Sequence, residues 1–304
     1  MSIFSRLPIV NGEYRKNFML ANLTRFKVGG TAEIFFKPKD EQDLSYFLSN
    51  LPIDIPVTVL GAGSNVIIRD GGIEGVTIKL GKEFNKITFK ENSSIITVGA
   101  STLNYSLSKF CLQYSLGGLE FLVGIPGSVG GGISMNAGAY GSEFKDVIHS
   151  VEALDRFGNK HLFACRDLDF KYRECGINGF FVFTKANFTC YKGNQEDISK
   201  KMQEINNSRK LTQPINEKTG GSTFRNPANC KAWRLIDRVG LRGYMLGDAI
   251  VSNLHCNFLI NNGCASASNL ENLGKLIHAE VLAKTAIDLK WEIKIIGKKI
   301  TESN

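Results

Sequence analysis

Alternating apolar and polar positions mark short strands early in the chain, at residues 32–37, 57–60, 66–68 and 76–80. Between the first two, a period of about 3.6 residues puts Leu44, Phe47 and Leu48 on one helix face, with Asp40 placed to cap its N-terminus. Strand-like runs return at residues 95–98, 147–154 and 180–188, and a helix carrying Leu103, Leu107, Phe110, Cys111 and Tyr114 follows the first of these. A polar helix over residues 196–210 has Ile198, Met202 and Ile205 as its apolar stripe. Farther on, Ser268 and Glu271 read as a capping box ahead of Leu270, Leu273, Ile277 and Val281. Leu289, Trp291, Ile293 and Ile295 then alternate with Lys290, Glu292 and Lys294, which predicts a strand with Glu292 on its polar face. The runs group into three blocks, residues 1–80, 81–193 and 194–304.

Residues 124–141, GIPGSVGGGISMNAGAYG, break both periods, with seven glycines in eighteen positions. Glycine accepts positive φ and admits a ligand close to the main chain, while Pro126 biases Ile125 away from helix, so neither a packed strand nor a helix is expected. Successive turn N–H groups form anion cradles, and diphosphate is the natural occupant of one this long. A flexible linker is the alternative; Ile125, Val129, Ile133 and Met135 argue for order. A second loop lies in residues 59–72, VLGAGSNVIIRDGG, which imitates a dinucleotide fingerprint but lacks its third glycine and its helix. It reads as strand, glycine loop, strand. Backbone N–H groups there, with the Ser64 and Asn65 side chains, suit a pyrophosphate, and an unliganded turn fits the loop equally well on its own. Two such loops in consecutive blocks favour one extended dinucleotide lying across both.

Composition narrows the class. At 304 residues and 43% hydrophobic content, the chain can bury roughly 75% of its unfolded surface, and two domains are expected. Its opening residues lack the apolar core of a signal peptide, and no run reaches the roughly 18 apolar residues of a membrane span, so a cytoplasmic protein without membrane association is expected. Seven scattered cysteines, none in a CxxC pair, suggest buried, reduced thiols and no metal site. The net charge of +8 is concentrated in residues 209–242, where eight basic residues face only Glu217 and Asp237. A nucleic-acid patch and a solvated face are both compatible with this. The absence of a nucleic-acid motif and the helical spacing of Trp233, Leu235 and Ile236 favour a pocket for a phosphorylated small molecule.

Six segments in order, TRFKVGGTAEIFFKP (24–38), LGAGSN (60–65), LEFLVGIPGSVGGGISMNAGAYGSE (119–143), FKYR (170–173), GGSTFRNP (220–227) and WEIKIIG (291–297), resemble the UDP-N-acetylenolpyruvoylglucosamine reductase (MurB) family over nearly the whole chain. MNAGAYG, with no inserted tyrosine-bearing loop, is similar to its shorter type II branch. The resemblance implies an α+β fold: a two-part FAD-binding domain of the vanillyl-alcohol-oxidase (PCMH) kind, residues 1–80 and 81–193, followed by a smaller α+β substrate-binding domain, residues 194–304. It also implies NADPH as hydride donor and a UDP-sugar enolpyruvate as acceptor, with small molecules as the only partners. FAD contacts carry over to Gly61, Ala62, Gly63, Ser64 and Asn65. In the second loop they carry over to Gly124, Ile125, Pro126, Gly127, Ser128, Gly130 and Gly131, and to Asn136, Ala137 and Gly138.

The catalytic residues implied are Arg173, for charge on the developing enolate; Ser222, as proton donor; and Glu292, assisting that transfer. Without the resemblance Arg173 reads as a surface arginine, Ser222 as a turn serine at the tip of a loop shaped by Gly220 and Gly221, and Glu292 as a solvated strand position. Arg225, Asn226, Arg234, Arg242 and His255 carry over to substrate binding, His255 being equally readable as structural. Asp248 departs from the family's usual glycine, and a carboxylate near a diphosphate repels it unless an arginine pairs with it. Two other functions remain open from sequence: another flavin oxidoreductase on this scaffold, such as a carbohydrate or alcohol oxidase, and a basic nucleic-acid-binding protein.

Overall fold

Every second residue of the strand Phe181–Thr189 points inward, and this alternation makes it the centre of a five-stranded antiparallel sheet. Ile148–Asp155 and then Lys160–Ala164 pair on one side, Ile95–Gly99 and then Ile87–Phe89 on the other. The computed structural model that displays this sheet describes residues 3–91 and 93–300, and its chain falls into two units. The first comprises Met1–Arg15, Ile34–Ala62 and Gly75–Ser208; the second comprises Lys16–Glu33, Gly63–Glu74 and Arg209–Asn304.

Two apolar cores organise the first unit. One covers the sheet with Leu107 and Cys111 of the helix Asn104–Gln113, and with Val129, Ile133 and Phe144. The other sets Phe36 against Phe47, ring centroids 4.3 Å apart, and is closed by the helix Glu41–Asn50. Asp40 caps that helix as the sequence predicts, accepting the Asp43 N–H at 2.9 Å. Beside it Val57–Val59 runs parallel to residues 76–78. The helix Gln195–Thr212 packs Ile198, Met202 and Ile205 against Val123.

One expectation fails here. Residues 129–134 of the glycine run do form a helix, Val129–Ser134. Tertiary packing overrides propensity: a Cβ on Gly132 would stand 2.2 Å from the Phe144 ring, and only a helix stripped of side chains can lie that close.

The second unit is built on the helix Ala267–Thr285, whose buried face carries Leu270, Leu273, Ile277 and Val281. Gly274 on the same face leaves a slot for Trp291, whose ring a Cβ there would meet at 2.0 Å. The helix Ala232–Arg238 packs against it, as do the antiparallel strands Met245–Leu246, Ala249–Val251 and Leu259–Asn261. Residues 294–296 pair in parallel with Val66–Ile68. The N-cap is Ser266, not Ser268: Ser266 and Asn269 form the reciprocal pair, while Ser268 gives its hydroxyl to Asp70 at 2.7 Å. Glu271 is buried instead of capping. Arg69 at 2.8 Å and Lys275 at 2.6 Å hold its carboxyl down at about 2.

All seven cysteines are free thiols, three of them buried, and burial pushes Cys111 up to about 12. Among the described residues no helix is long and apolar enough to cross a membrane.

Candidate active site

In the first unit a cavity of about 360 Å³ lies where Gly61 and Ala62 of the first glycine loop face Ser128, Gly130 and Gly131 of the second. Ser101 and Leu103, Phe181 and Phe183, and Lys79, Lys82 and Asn85 complete much of its wall. Among the described residues no Asp or Glu lines it, and its charged groups are both lysines. The loops approach closely because they lack side chains: a Cβ on Gly61 would stand 3.2 Å from Ser128 Oγ and 3.6 Å from Gly131 Cα.

Gly131 is the informative glycine. A Cβ there would meet only Ser128 Oγ, at 3.5 Å, and its φ is not in the left-handed region. Glycine inside a helix costs about 1 kcal/mol relative to alanine, so neither packing nor backbone geometry accounts for it. Open space beside an anion-compatible cavity does, and this fits a dinucleotide.

Ser134 also lines the cavity, and the other residues of the glycine run lie off it. Gly124 backs onto Tyr140 and Ile205, and the Gly127 carbonyl accepts the Asn104 N–H at 3.0 Å. Ala137 is part of the core. Asn136 is fully buried at φ +42, and its side chain serves the chain itself: Nδ2 donates to Glu143 Oε2 at 2.8 Å and to the Lys171 carbonyl at 3.0 Å, and Oδ1 accepts the Lys145 N–H. Asn136 thereby grips a hairpin in which Phe170–Lys171 pairs with Glu174–Cys175, and the two-residue turn of that hairpin carries Arg173. Arg173 is held in the left-handed region at φ +58, and its Nη2 donates to the Gly138 carbonyl at 2.7 Å. Its guanidinium also stacks over Tyr172, 4.9 Å from the ring centroid. Glycine run and arginine are therefore brought together, with Gly138 as the contact.

In the second unit the first glycine loop continues through Gly63, Ser64 and Asn65. Gly63 sits at φ +67, where a Cβ would overlap the Leu23 carbonyl at 2.0 Å. Asn65 donates its side-chain amide to the Glu292 carbonyl at 3.0 Å, and its own carbonyl accepts the Lys294 N–H. The Glu292 N–H in turn donates to the Thr223 carbonyl at 2.8 Å, one residue from Ser222. Asn65, Ser222 and Glu292 thus share one backbone network. Glu292 is half-buried, not solvated, although the alternation of Leu289 and Ile293 into the core is as expected.

Ser222 is not at a loop tip. It bridges Phe258 on one side, and Phe224 bridges Trp291 on the other. The buried Asn257 clamps this extended segment, exchanging bonds with the Phe224 N–H and carbonyl at 3.0 and 2.8 Å. Gly220 lets the Phe26 ring approach, and Gly221 supplies φ +84.

The basic residues have several local duties. The Arg225 N–H donates to the Lys290 carbonyl, Asn226 Oδ1 accepts the Ala232 N–H, and Arg234 lies exposed over Trp233 at 5.4 Å. Arg242 is forked onto Asp237 at 2.9 Å and also reaches the Asn253 carbonyl. His255 packs edge-on to Phe258, and burial pushes its pKa below the ordinary imidazole value. Asp248 accepts the Cys264 N–H at 3.1 Å, so its carboxylate organises its own loop. Sequence reading missed Lys79, Lys82, Asn85, Phe181 and Phe183 at the cavity, and Asn257 beside Ser222. Asn257 alone left a trace, as a polar residue inside the apolar run of residues 256–260.

Residues 32–161 match a family model described as an FAD binding domain, and residues 213–296 match the C-terminal domain of UDP-N-acetylenolpyruvoylglucosamine reductase. The reductase of that name from Orientia tsutsugamushi (strain Ikeda) is 66% identical over 301 residues, covering 98% of this chain and 99% of its own. That of Rickettsia bellii (strain RML369-C) is 56% identical, covering 96% of each. Among solved structures, UDP-N-acetylenolpyruvylglucosamine reductase from Thermus caldophilus superimposes with a TM-score of 0.81 at 31% identity, over 94% of this chain and 99% of that one.

Proposed function

The chain belongs to the UDP-N-acetylenolpyruvoylglucosamine reductase family, and we propose that it reduces UDP-N-acetylglucosamine enolpyruvate to UDP-N-acetylmuramate, with NADPH as donor and FAD as relay, in peptidoglycan synthesis. The single observation that carries the cofactor assignment is the cavity between two glycine loops, lined among the described residues by lysines and no carboxylate, with both loops inside the stretch matching an FAD binding domain. The substrates are multiply charged nucleotides that do not cross a bilayer unaided, which supports a cytoplasmic location.

When bound at those loops, FAD would supply the hydride-relay chemistry between NADPH and the terminal vinyl carbon. Hydride arrival there builds negative charge on the adjacent carbon and its carboxylate. Arg173 is the group we assign to that charge, since its planar fork matches a carboxylate and stays protonated at any working pH. Ser222 Oγ gives its proton to the carbon, so that hydride and proton together saturate the double bond. Glu292 assists that transfer; its attachment one residue from Ser222 supports the pairing. Arg225, Asn226, Arg234, Arg242 and His255 are assigned to substrate binding. Gly61 through Asn65, Gly124 through Ser128, Gly130, Gly131 and Asn136 through Gly138 are assigned to FAD, Asn136 acting through its backbone.

An anaerobic two-step titration tests the function. NADPH should bleach the visible flavin absorbance, and the enolpyruvyl sugar nucleotide alone should restore it without oxygen. Recolouring that requires oxygen and ignores the sugar would identify an oxidase instead. Gly131→Ala tests the cofactor site. The flavin-free chain should gain up to about 1 kcal/mol in stability from helix propensity, while FAD affinity should fall by about 1–3 kcal/mol because the methyl occupies ligand space. Unchanged FAD affinity would remove Gly131 from the site.

A further inference from the structure

Lys79 follows the strand Ile73–Ile78 and reaches the cavity wall, where its ammonium donates to the carbonyl of Gly61 in the first glycine loop. Burial pushes its pKa below the ordinary lysine value, and among the described residues no carboxylate contributes to that shift. Lys185 in the same unit shows the usual arrangement, with Glu41 and Glu152 at 2.9 and 3.0 Å. Burying a cation without a counter-charge is costly, and a chain that keeps one in a cavity wall has a use for it there. The arrival of an anion converts that cost into a charge-assisted hydrogen bond.

We propose that Lys79 is a cofactor-positioning residue whose ammonium holds the diphosphate of FAD and, through the Gly61 carbonyl, fixes the first glycine loop beside it. The proposal rests on the FAD assignment above. NADPH and the UDP-sugar share the diphosphate chemistry. FAD is the occupant we commit to, because Gly61 and Gly131 lie in the same cavity and Lys79 falls inside the stretch matching an FAD binding domain.

The test uses the full chain stripped of flavin and titrated with FAD, with ADP, which has the diphosphate without the ring, and with riboflavin, which has the ring without phosphate. Lys79→Met should weaken FAD and ADP binding about 10- to 100-fold while leaving riboflavin within about twofold. The flavin-free variant should melt no lower than wild type, since a half-buried cation with no carboxylate partner among the described residues has been removed. Lys79→Gln keeps a donor for the Gly61 carbonyl without the charge, and should lose FAD affinity as Lys79→Met does; Lys79→Arg should retain most of it. Equal loss for FAD and riboflavin, or unchanged FAD affinity with a raised KM for NADPH or the sugar nucleotide, would overturn the proposal. A wild-type chain that takes up no FAD would overturn the cofactor assignment itself, and the proposal with it.

Discussion

Ser222→Ala is expected to leave bleaching by NADPH within about twofold of wild type and to slow reoxidation by the enolpyruvyl sugar nucleotide about 10²- to 10⁴-fold, the usual worth of a positioned proton donor. The asymmetry is the content of the prediction. Hydride transfer from NADPH delivers no proton to a substrate carbon, whereas saturation of the double bond is incomplete without one. Folding should be little affected, because Ser222 is held by main-chain bridging to Phe258, and alanine keeps every one of those bonds. Losing one half-exposed hydroxyl costs about 1 kcal/mol at most. Ser222→Cys should recover part of the lost rate, since a thiol near pKa 8.5 is a far better acid than an alcohol. Glu292→Gln should slow the same half-reaction and not the other. Equal slowing of both halves by Ser222→Ala would take the proton-donor role away from this residue.

Local signals made the scaffold legible. Asp40 followed by Leu44, Phe47 and Leu48 predicts the helix Glu41–Asn50, cap included, because capping and amphipathic spacing lie within one helix. The N-cap of the helix Ala267–Thr285 is not legible because the sequence offers serines at both 266 and 268. The choice is made by Asp70, nearly two hundred residues away, which accepts the N–H groups of Ala267 and Ser268 and the Ser268 hydroxyl. Glu271 leaves its expected capping role for the same kind of reason, drawn to Arg69. Glu292 shows the limit for function. Alternation between Lys290 and Lys294 says only that it shares a polar face; which environment that face meets is set by Asn65 and Thr223, both remote in sequence. Lys79 leaves no signal at all, since a lysine at the end of an apolar strand is ordinary and only its lack of a carboxylate partner among the described residues is informative. The resemblance alone points to the catalytic residues proposed above; physical reading of the residues by themselves reaches a dinucleotide and a phosphorylated ligand, and stops there.

Arg173→Lys is expected to lower the sugar-dependent half-reaction about 10²- to 10³-fold, comparable to removing a preorganised donor from a developing anion, with FAD content unchanged. Charge is kept in this variant and shape is lost. A lysine ammonium is a compact point donor and cannot reproduce a planar fork that bonds the Gly138 carbonyl through Nη2 while presenting its other N–H groups elsewhere. An ordinary surface arginine would tolerate the change within about 0.5 kcal/mol. Gly138→Ala should mimic the defect without touching the charge, since the added Cβ would stand 3.0 Å from Nη1 and 2.7 Å from Glu143 Cβ. The backbone gives an independent readout. Holding Arg173 at φ +58 costs about 1–2 kcal/mol for an L-residue, while glycine's greater chain entropy costs about 0.5–1 kcal/mol. Arg173→Gly should therefore gain up to about 1.5 kcal/mol from the backbone by that difference, which offsets the loss of about 1 kcal/mol for the Nη2 bond to the Gly138 carbonyl, so that it melts close to wild type while losing turnover as severely as Arg173→Lys. A position whose strain is relieved at the expense of activity is one where the conformation serves the chemistry. If Arg173→Gly instead lost stability and kept its rate, the left-handed turn would be a matter of folding, and the charge on the nascent product would have to be met by another residue.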